Sequence, residues 1–201
     1  MKLPNFFKQV VFLCFALLIF LQGVSAQDAN PAAAKALIES TTQQVLDAIK
    51  GNPDHAFDVA QEYVLPHFDF IAMSRLVIGK NWKSATTDQK KQFVQAFRDL
   101  LIRTYANTLI EAAKSDVNVE YLPIRAKEGA KRIRVQSLVQ FKGKTIKLDY
   151  SLRIKKGEWK VWDVSAGGVS LVTNYRAEFQ TIHKEKGMDG LIETVNDKNQ
   201  S

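Results

Sequence analysis

Apolar positions recur at helical spacing from the first residues after Asn30. Leu37, Thr41, Val45 and Ile49 share one face, with Ile38, Thr42 and Leu46 beside them. Asn30-Pro31 supplies an N-cap and a first-turn proline, and Gly51-Asn52-Pro53 ends the helix. Asp54 is the expected cap of a second, shorter helix carrying Phe57, Ala60 and Val64, which Pro66 ends. Asp69 caps a third, through Ile71, Ala72, Arg75, Leu76 and Ile78 to a C-terminal Gly79. Trp82 falls in the turn that follows. Thr86-Thr87-Asp88-Gln89 reads as a capping box and opens the longest helix, to about Lys114. Its stripe is Phe93, Phe97, Leu100, Leu101, Tyr105, Thr108, Leu109 and Ala112.

From Val117 the period changes to two. Val117, Val119 and Tyr121 alternate with polar residues, as do Ile133, Val135, Ser137, Val139 and Phe141. After a turn at Lys142-Gly143, Ile146, Leu148, Tyr150, Leu152 and Ile154 alternate in the same way. Lys155 to Glu158 makes the next turn, and Trp159 to Val164 is aromatic and β-branched, which suits a strand. Gly167-Gly168 is then expected to hand this strand directly to a helix with Leu171, Tyr175, Phe179 and Ile182 on one face. That helix ends near Gly187, Asp189 caps one more short helix through Leu191, Ile192 and Val195, and Asn196 to Ser201 reads as a frayed tail. The order is helices, an antiparallel four-stranded meander, then a helix crossing the sheet. This is an α+β fold whose twisted sheet, wrapped by helices, encloses a cone-shaped apolar space.

Residues 1–26 change the reading of the rest. Lys2 and Lys8 flank the apolar run from Val10 to Leu21, and Val24-Ser25-Ala26 offers small residues to a signal peptidase. A cleaved secretory signal peptide at 1–26 leaves a single exported domain over 27–201, beginning at Gln27. Cys14 leaves with the signal, so the exported domain has no disulfide and depends on packing. Removing two lysines and no acid takes the net charge from +7 to +5. That modest excess favours anionic lipid or an acidic partner over nucleic acid.

Candidate chemistry is sparse. His55, His67 and His183 lie in different elements, without metal-ligand spacing. Gly168-Val169-Ser170 lacks the surroundings of a nucleophile elbow, and Lys142-Gly143-Lys144-Thr145 lacks the upstream glycine of a phosphate loop. Asp163 is the best catalytic candidate: simple alternation places it on the face of Trp159 and Val161, where an inward carboxyl could act as a base. Against this stands a capping role, since no second polar group converges with it.

The run Leu65-Pro66-His67-Phe68-Asp69 precedes Leu76-Val77-Ile78-Gly79-Lys80-Asn81-Trp82, then Gln89, Phe93, Phe97, Leu101 and Thr104-Tyr105-Ala106. Later come Trp159-Lys160-Val161-Trp162-Asp163-Val164, Gly168-Val169-Ser170-Leu171-Val172, Asn174-Tyr175-Arg176, Phe179 and Gly187-Met188-Asp189-Gly190-Leu191. Taken together these resemble the MlaC, or toluene-tolerance, family of periplasmic phospholipid-binding proteins, over nearly all of the exported chain. The chain departs from the family pattern at Gly167, where an acid is expected. The resemblance implies an NTF2-like cone with a deep apolar cavity and a carrier rather than an enzyme. It implies phospholipid as cargo and no cofactor or metal. It also implies traffic between an outer-membrane lipoprotein–porin complex and an inner-membrane ABC transporter with lipid-capture domains, so maintaining outer-membrane lipid asymmetry. No nucleic-acid partner is expected, and the protein is expected to act as a monomer.

Physical chemistry is consistent with such cargo. A diacyl lipid has roughly thirty chain carbons at about 0.8 kcal/mol each, so bare tails in water cost on the order of 20 kcal/mol. A carrier must therefore wall them in and can leave the head group at the mouth. The alternation assigns Val135, Val139, Leu148, Tyr150 and Leu152 to the cavity wall. The long helix adds Phe97, Leu101, Tyr105 and Leu109, and the glycine join adds Val169, Leu171, Val172 and Tyr175. The rival expectations are an exported enzyme using Asp163 on an apolar substrate, and a periplasmic chaperone for apolar segments.

Overall fold

The computed structural model describes residues 30–200, apart from 116 and 128. The expected signal peptide at 1–26 and Cys14 lie outside the described residues. Helix α1 (Pro31–Gly51) begins where the Asn30 side chain accepts the Ala32 N–H at 2.9 Å. It buries Ala34, Ile38, Val45 and Ile49 along one face. The chain then winds through a 3-10 turn (Pro53–His55), α2 (Ala56–Val59), a π-helical turn (Ala60–Val64) and a second 3-10 turn (Leu65–His67). The expected cap at Asp54 is not found: Asp54 lies inside the first turn, which no side chain caps. Pro53 and Pro66, without an N–H to donate, favour short turns over one continuous helix here.

Two further caps are as expected. Asp69 accepts the Ala72 N–H and starts α3 (Phe70–Ile78), which Gly79 ends. Thr86 and Gln89 form a reciprocal capping box at the start of α4 (Thr87–Ala113). Five strands follow in one antiparallel sheet, ordered as in the sequence: β1 (Asn118–Tyr121), β2 (Arg132–Phe141), β3 (Lys144–Lys155), β4 (Glu158–Ala166) and β5 (Val169–Ser170). The fifth strand corrects the expected count of four. Gly167 and Gly168 have φ of +57° and +88°. That left-handed pair makes a two-residue hairpin turn and folds Val169–Ser170 back on β4. The glycines therefore turn the chain into a strand, and α5 (Leu171–Lys198) starts only after Ser170 caps it by accepting the Thr173 N–H. Helix α5 breaks at Gly187 (φ 70°) as expected, but among the described residues the expected tail from Asn196 is helical to Lys198. Val195 is buried, and Asn199 donates its amide to the Ala96 carbonyl at 3.0 Å. Asp189 accepts the Gln89 side-chain amide at 2.7 Å, tying the second half of α5 to the start of α4.

Three apolar clusters result. A helical core joins α3, α4 and α5 through Met73, Val77, Phe93, Phe97, Phe179 and Leu191. A sheet core packs Ala34 and Ile38 of α1 on Ile133, Val135, Leu152, Trp159 and Val161. A smaller cluster links Val45 and Ile49 of α1 to Ala56 and Ala113. Phe68 packs against both the helical and the sheet core.

Asp69, 1% exposed, fixes that junction. Its backbone N–H donates to the Val161 carbonyl of β4 at 2.8 Å. Besides capping α3, its carboxylate accepts hydrogen bonds from Lys155 Nζ at 2.7 Å and Arg153 Nε at 2.9 Å. Burial opposes the charge, but Lys155, Arg153 and the Ala72 N–H outweigh it and lower the pKa. Such stabilisation is complete above the unfolded value near 3.8 and is lost as pH falls through the depressed folded value. Replacing Asp69 by Ala removes a cap and orphans two cations, at about 3 kcal/mol. Urea unfolding should show that loss at neutral pH. The gap between wild type and Asp69→Asn should shrink only when the pH is taken below the ordinary aspartate range; a gap independent of pH would contradict this assignment.

Candidate functional site

Strand register arranges the inner face of the sheet in rows, because directly opposed residues share a face. Ile133, Leu152 and Val161 form one row, and Val135, Tyr150 and Val164 the next. The third, Tyr121–Ser137–Leu148–Ala166–Val169, crosses all five strands. Val119, Val139 and Ile146 form the last. Enclosure falls along this series. The first row is buried beneath α1, and Val135 is also fully buried. Tyr150, Val164, Leu148, Val139 and Ile146 are half-buried, and Val169 is 62% exposed.

The predicted residues thus fall into three groups. Phe97, Leu101, Val172 and Tyr175 sit in the helical core, where Phe97, Tyr175 and Phe179 make edge and tilted ring contacts. Val135 and Leu152 sit in the sheet core. Val139, Leu148, Tyr150, Leu109 and Leu171 are half-buried, whereas Tyr105 and Val169 are among the exposed large apolar residues. Helix α4 runs from the helical core to the β2–β3 turn. Its first half packs in the helical core, and near its end Glu111 pairs with Lys142 of the β2–β3 turn at 2.7 Å. Tyr105 lies along α4 next to Tyr175, and burial followed by that neighbour raises its pKa.

A band of hydroxyls interrupts the apolar face, and sequence reading missed it. Among the described residues, the buried Thr41 Oγ1, Tyr121 Oη and Ser137 Oγ have no hydrogen-bond partner. Thr42 approaches Tyr121, and Ser137 approaches Tyr150, without reaching hydrogen-bond geometry. The signal was present in the sequence: Ser137 stands at an apolar position of the β2 alternation, and Thr41 on the apolar face of α1.

Asp163 does not point where simple alternation puts it. A bulge opposite Ser151 and Leu152 inserts Trp162 into β4. Asp163 then pairs with Ser151 of the polar face, while Val164 joins Tyr150 on the inner one. Both carboxylate oxygens accept local hydrogen bonds, from Ser170 Oγ at 2.7 Å and from the Val172 N–H at 3.1 Å. Asp163 is a clasp between β4 and the start of α5. The histidines remain apart: His55 bonds Asp58, His183 bonds Asn81, and burial beside Lys160 lowers the pKa of His67. Among the described residues no group of three His, Cys, Asp or Glu could hold a metal ion, and no helix is long and apolar enough to cross a membrane. Two clefts of about 690 and 310 Å³ open among the described residues, and neither is lined by the half-buried inner-face residues.

A family model described as MlaC protein matches residues 31–197. The chain is 27% identical over 147 residues to the intermembrane phospholipid transport system binding protein MlaC of Haemophilus influenzae, covering 72% of this chain and 68% of that one. It is 24% identical over 161 residues to the toluene tolerance protein ttg2D of Pseudomonas putida, covering 76% and 74% respectively. Among solved structures it is similar to the phospholipid-binding protein from Ralstonia solanacearum in complex with a phospholipid. The TM-score is 0.77 and the identity 30%, over 83% of this chain and 97% of that chain.

The hydroxyl band has a consequence at high pH. Burial, then the nearby Tyr121, push the Tyr150 pKa from 10.0 up to about 12. The folded state holds this proton more tightly than the unfolded one. Its contribution is complete below 10.0 and is lost as pH rises to about 12. Wild type should therefore lose about 2 kcal/mol more than Tyr150→Phe across that interval. Parallel stability curves for the two proteins would show that Tyr150 is not the group responsible.

Proposed function

The chain belongs to the MlaC protein family, and from that premise we propose that it is a periplasmic carrier that binds phospholipid and moves it between membranes. The observation that carries this reading is the phospholipid complex of a relative that shares this fold over 83% of the chain. The half-buried inner-face rows support it: they offer apolar wall where the sheet core ends. Acyl chains lie between these rows and α4, against Val139, Leu148, Tyr150 and Tyr105, and the head group stays near Val169; Leu109 packs instead with Val45 and Ile49 of α1. Phe97, Leu101, Val172 and Tyr175 back this slot from the helical core; Val135 and Leu152 close its inner end. Tails enter as α4 and the far end of the sheet part. The finer expectations are the exchange partners on the two membranes: an outer-membrane lipoprotein–porin complex and an inner-membrane ABC transporter with lipid-capture domains. The enzymatic alternative loses its main support, because the Asp163 carboxylate is engaged in its own clasp.

Organic extraction of purified, exported protein followed by mass spectrometry tests the reading: one or more phospholipid species should copurify in stoichiometric amount. A lipid-free protein that turns over an apolar substrate would overturn it. Val169→Glu sharpens the test. Val169 is 62% exposed, so the new carboxylate stays hydrated and stability should change by no more than about 0.5 kcal/mol. The variant should be exported and folded yet contain little phospholipid. Normal lipid content in a folded Val169→Glu protein would remove this position from the mouth.

A further inference from the structure

The outer face of the sheet carries a feature that lipid carriage does not use. The cleft of about 690 Å³ opens there, between β2 and the segment that leaves β1. Arg125, Lys127, Arg132 and Arg134 line it, and the bulged Trp162 contributes an aromatic wall with Gln136 beside it. Among the described residues, none of the four cations forms an ion pair. Other cations nearby have carboxylate partners: Arg153 and Lys155 share Asp69, and Lys160 pairs with Glu158. With Asp149 bonded to Gln136 at its edge, the cleft still gathers four cations without a recorded ion pair in one concavity, an excess of positive charge that favours an anionic occupant.

Spacing decides what kind of anion. Arg132 and Arg134 are two residues apart on one face of β2, so their Cα atoms are separated by roughly 7 Å. Arg125 and Lys127 are also two residues apart on the facing segment. Two rows of paired cations distribute charge along a line instead of converging on one point, as a single phosphate would require. Alternate side chains of an extended peptide repeat at the same spacing. A concavity with an aromatic wall also suits a chain segment better than the flat surface of a bilayer. We propose that this cleft docks an extended acidic segment of a partner protein, with carboxylates at alternate positions taken by the arginine forks. Because Arg134 and Val135 point to opposite faces of one strand, the partner grips the sheet from behind and leaves the inner face free.

Fluorescence anisotropy with a labelled peptide alternating Glu and Ser tests this, against a peptide of equal composition with its glutamates in one block. The alternating peptide should bind more tightly to the full exported protein. The double variant Arg132→Gln, Arg134→Gln should weaken it roughly threefold to tenfold, as should Arg125→Gln with Lys127→Gln. Lys184→Gln, on α5, should leave binding unchanged. Circular dichroism and copurified phospholipid should be normal in every variant, since none of these residues packs in a core. Equal binding of the two peptides, or undiminished binding by both double variants, would overturn the proposal. So would vesicles of phosphatidylglycerol binding in a way the same substitutions abolish while the peptide shows no preference, which would assign the cleft to a membrane surface.

Discussion

The molecule depends on one joint. Phe68 touches both the helical and the sheet core, and Asp69 beside it caps α3, bonds β4 through its backbone and pairs with two cations of β3. A buried carboxylate is tolerated only when its partners are in place, so the joint forms with full geometry or not at all. The helical layer is thus fixed to the sheet at the end where Ile133, Leu152 and Val161 are packed. At the other end α4 packs on α1 through Ala113, Leu109, Val45 and Ile49, and its contact with the β2–β3 turn is an exposed pair, Glu111–Lys142, which is worth little. In the proposed carrier the line of opening runs along the half-buried inner-face rows, beyond this packed end.

That asymmetry suits reversible lipid carriage. A solid core would exclude acyl chains, and a permanently open apolar cone would expose large apolar surface whenever unloaded. Walls that close on each other limit that exposure. In the proposed carrier the hydroxyls of Thr41, Tyr121 and Ser137 mark the inner limit of the slot. Unpartnered buried hydroxyls cost free energy that an all-apolar face would avoid, and they are poor neighbours for methylene chains. They set a floor beyond which tails gain little by penetrating.

Much of the fold was legible in the sequence because the signals are local. The Asn30 cap, the Asp69 cap, the Thr86–Gln89 box and the β2–β3 alternation each concern residues a few positions apart. The failures are non-local or depend on one residue of register. Trp162 is inserted by a bulge that no spacing announces, and it moved Asp163 off the face that strict alternation assigned. Gly167-Gly168 signalled a break, but not that the chain would fold back as β5 before the helix. For the site, periodicity identifies the apolar face of α4 without saying what lies across from it. Phe97 and Tyr105 share that face; one is fully buried among α5 aromatics, and the other is 37% exposed. The ion pairs of Asp69 join residues more than eighty positions apart and left no trace in either local pattern.

The central claim is that acyl chains occupy the inner face beyond the packed rows. Photo-crosslinking tests it most directly, with p-benzoylphenylalanine replacing Leu148 on the inner face or Leu138, which β2 presents to the outer one. After illumination of protein purified with its own lipid, intact mass should show a phospholipid adduct at the Leu148 position and none at the Leu138 position. A protein that carries phospholipid yet gives no adduct at Leu148, or equal adducts at both positions, would place the tails elsewhere and contradict the account.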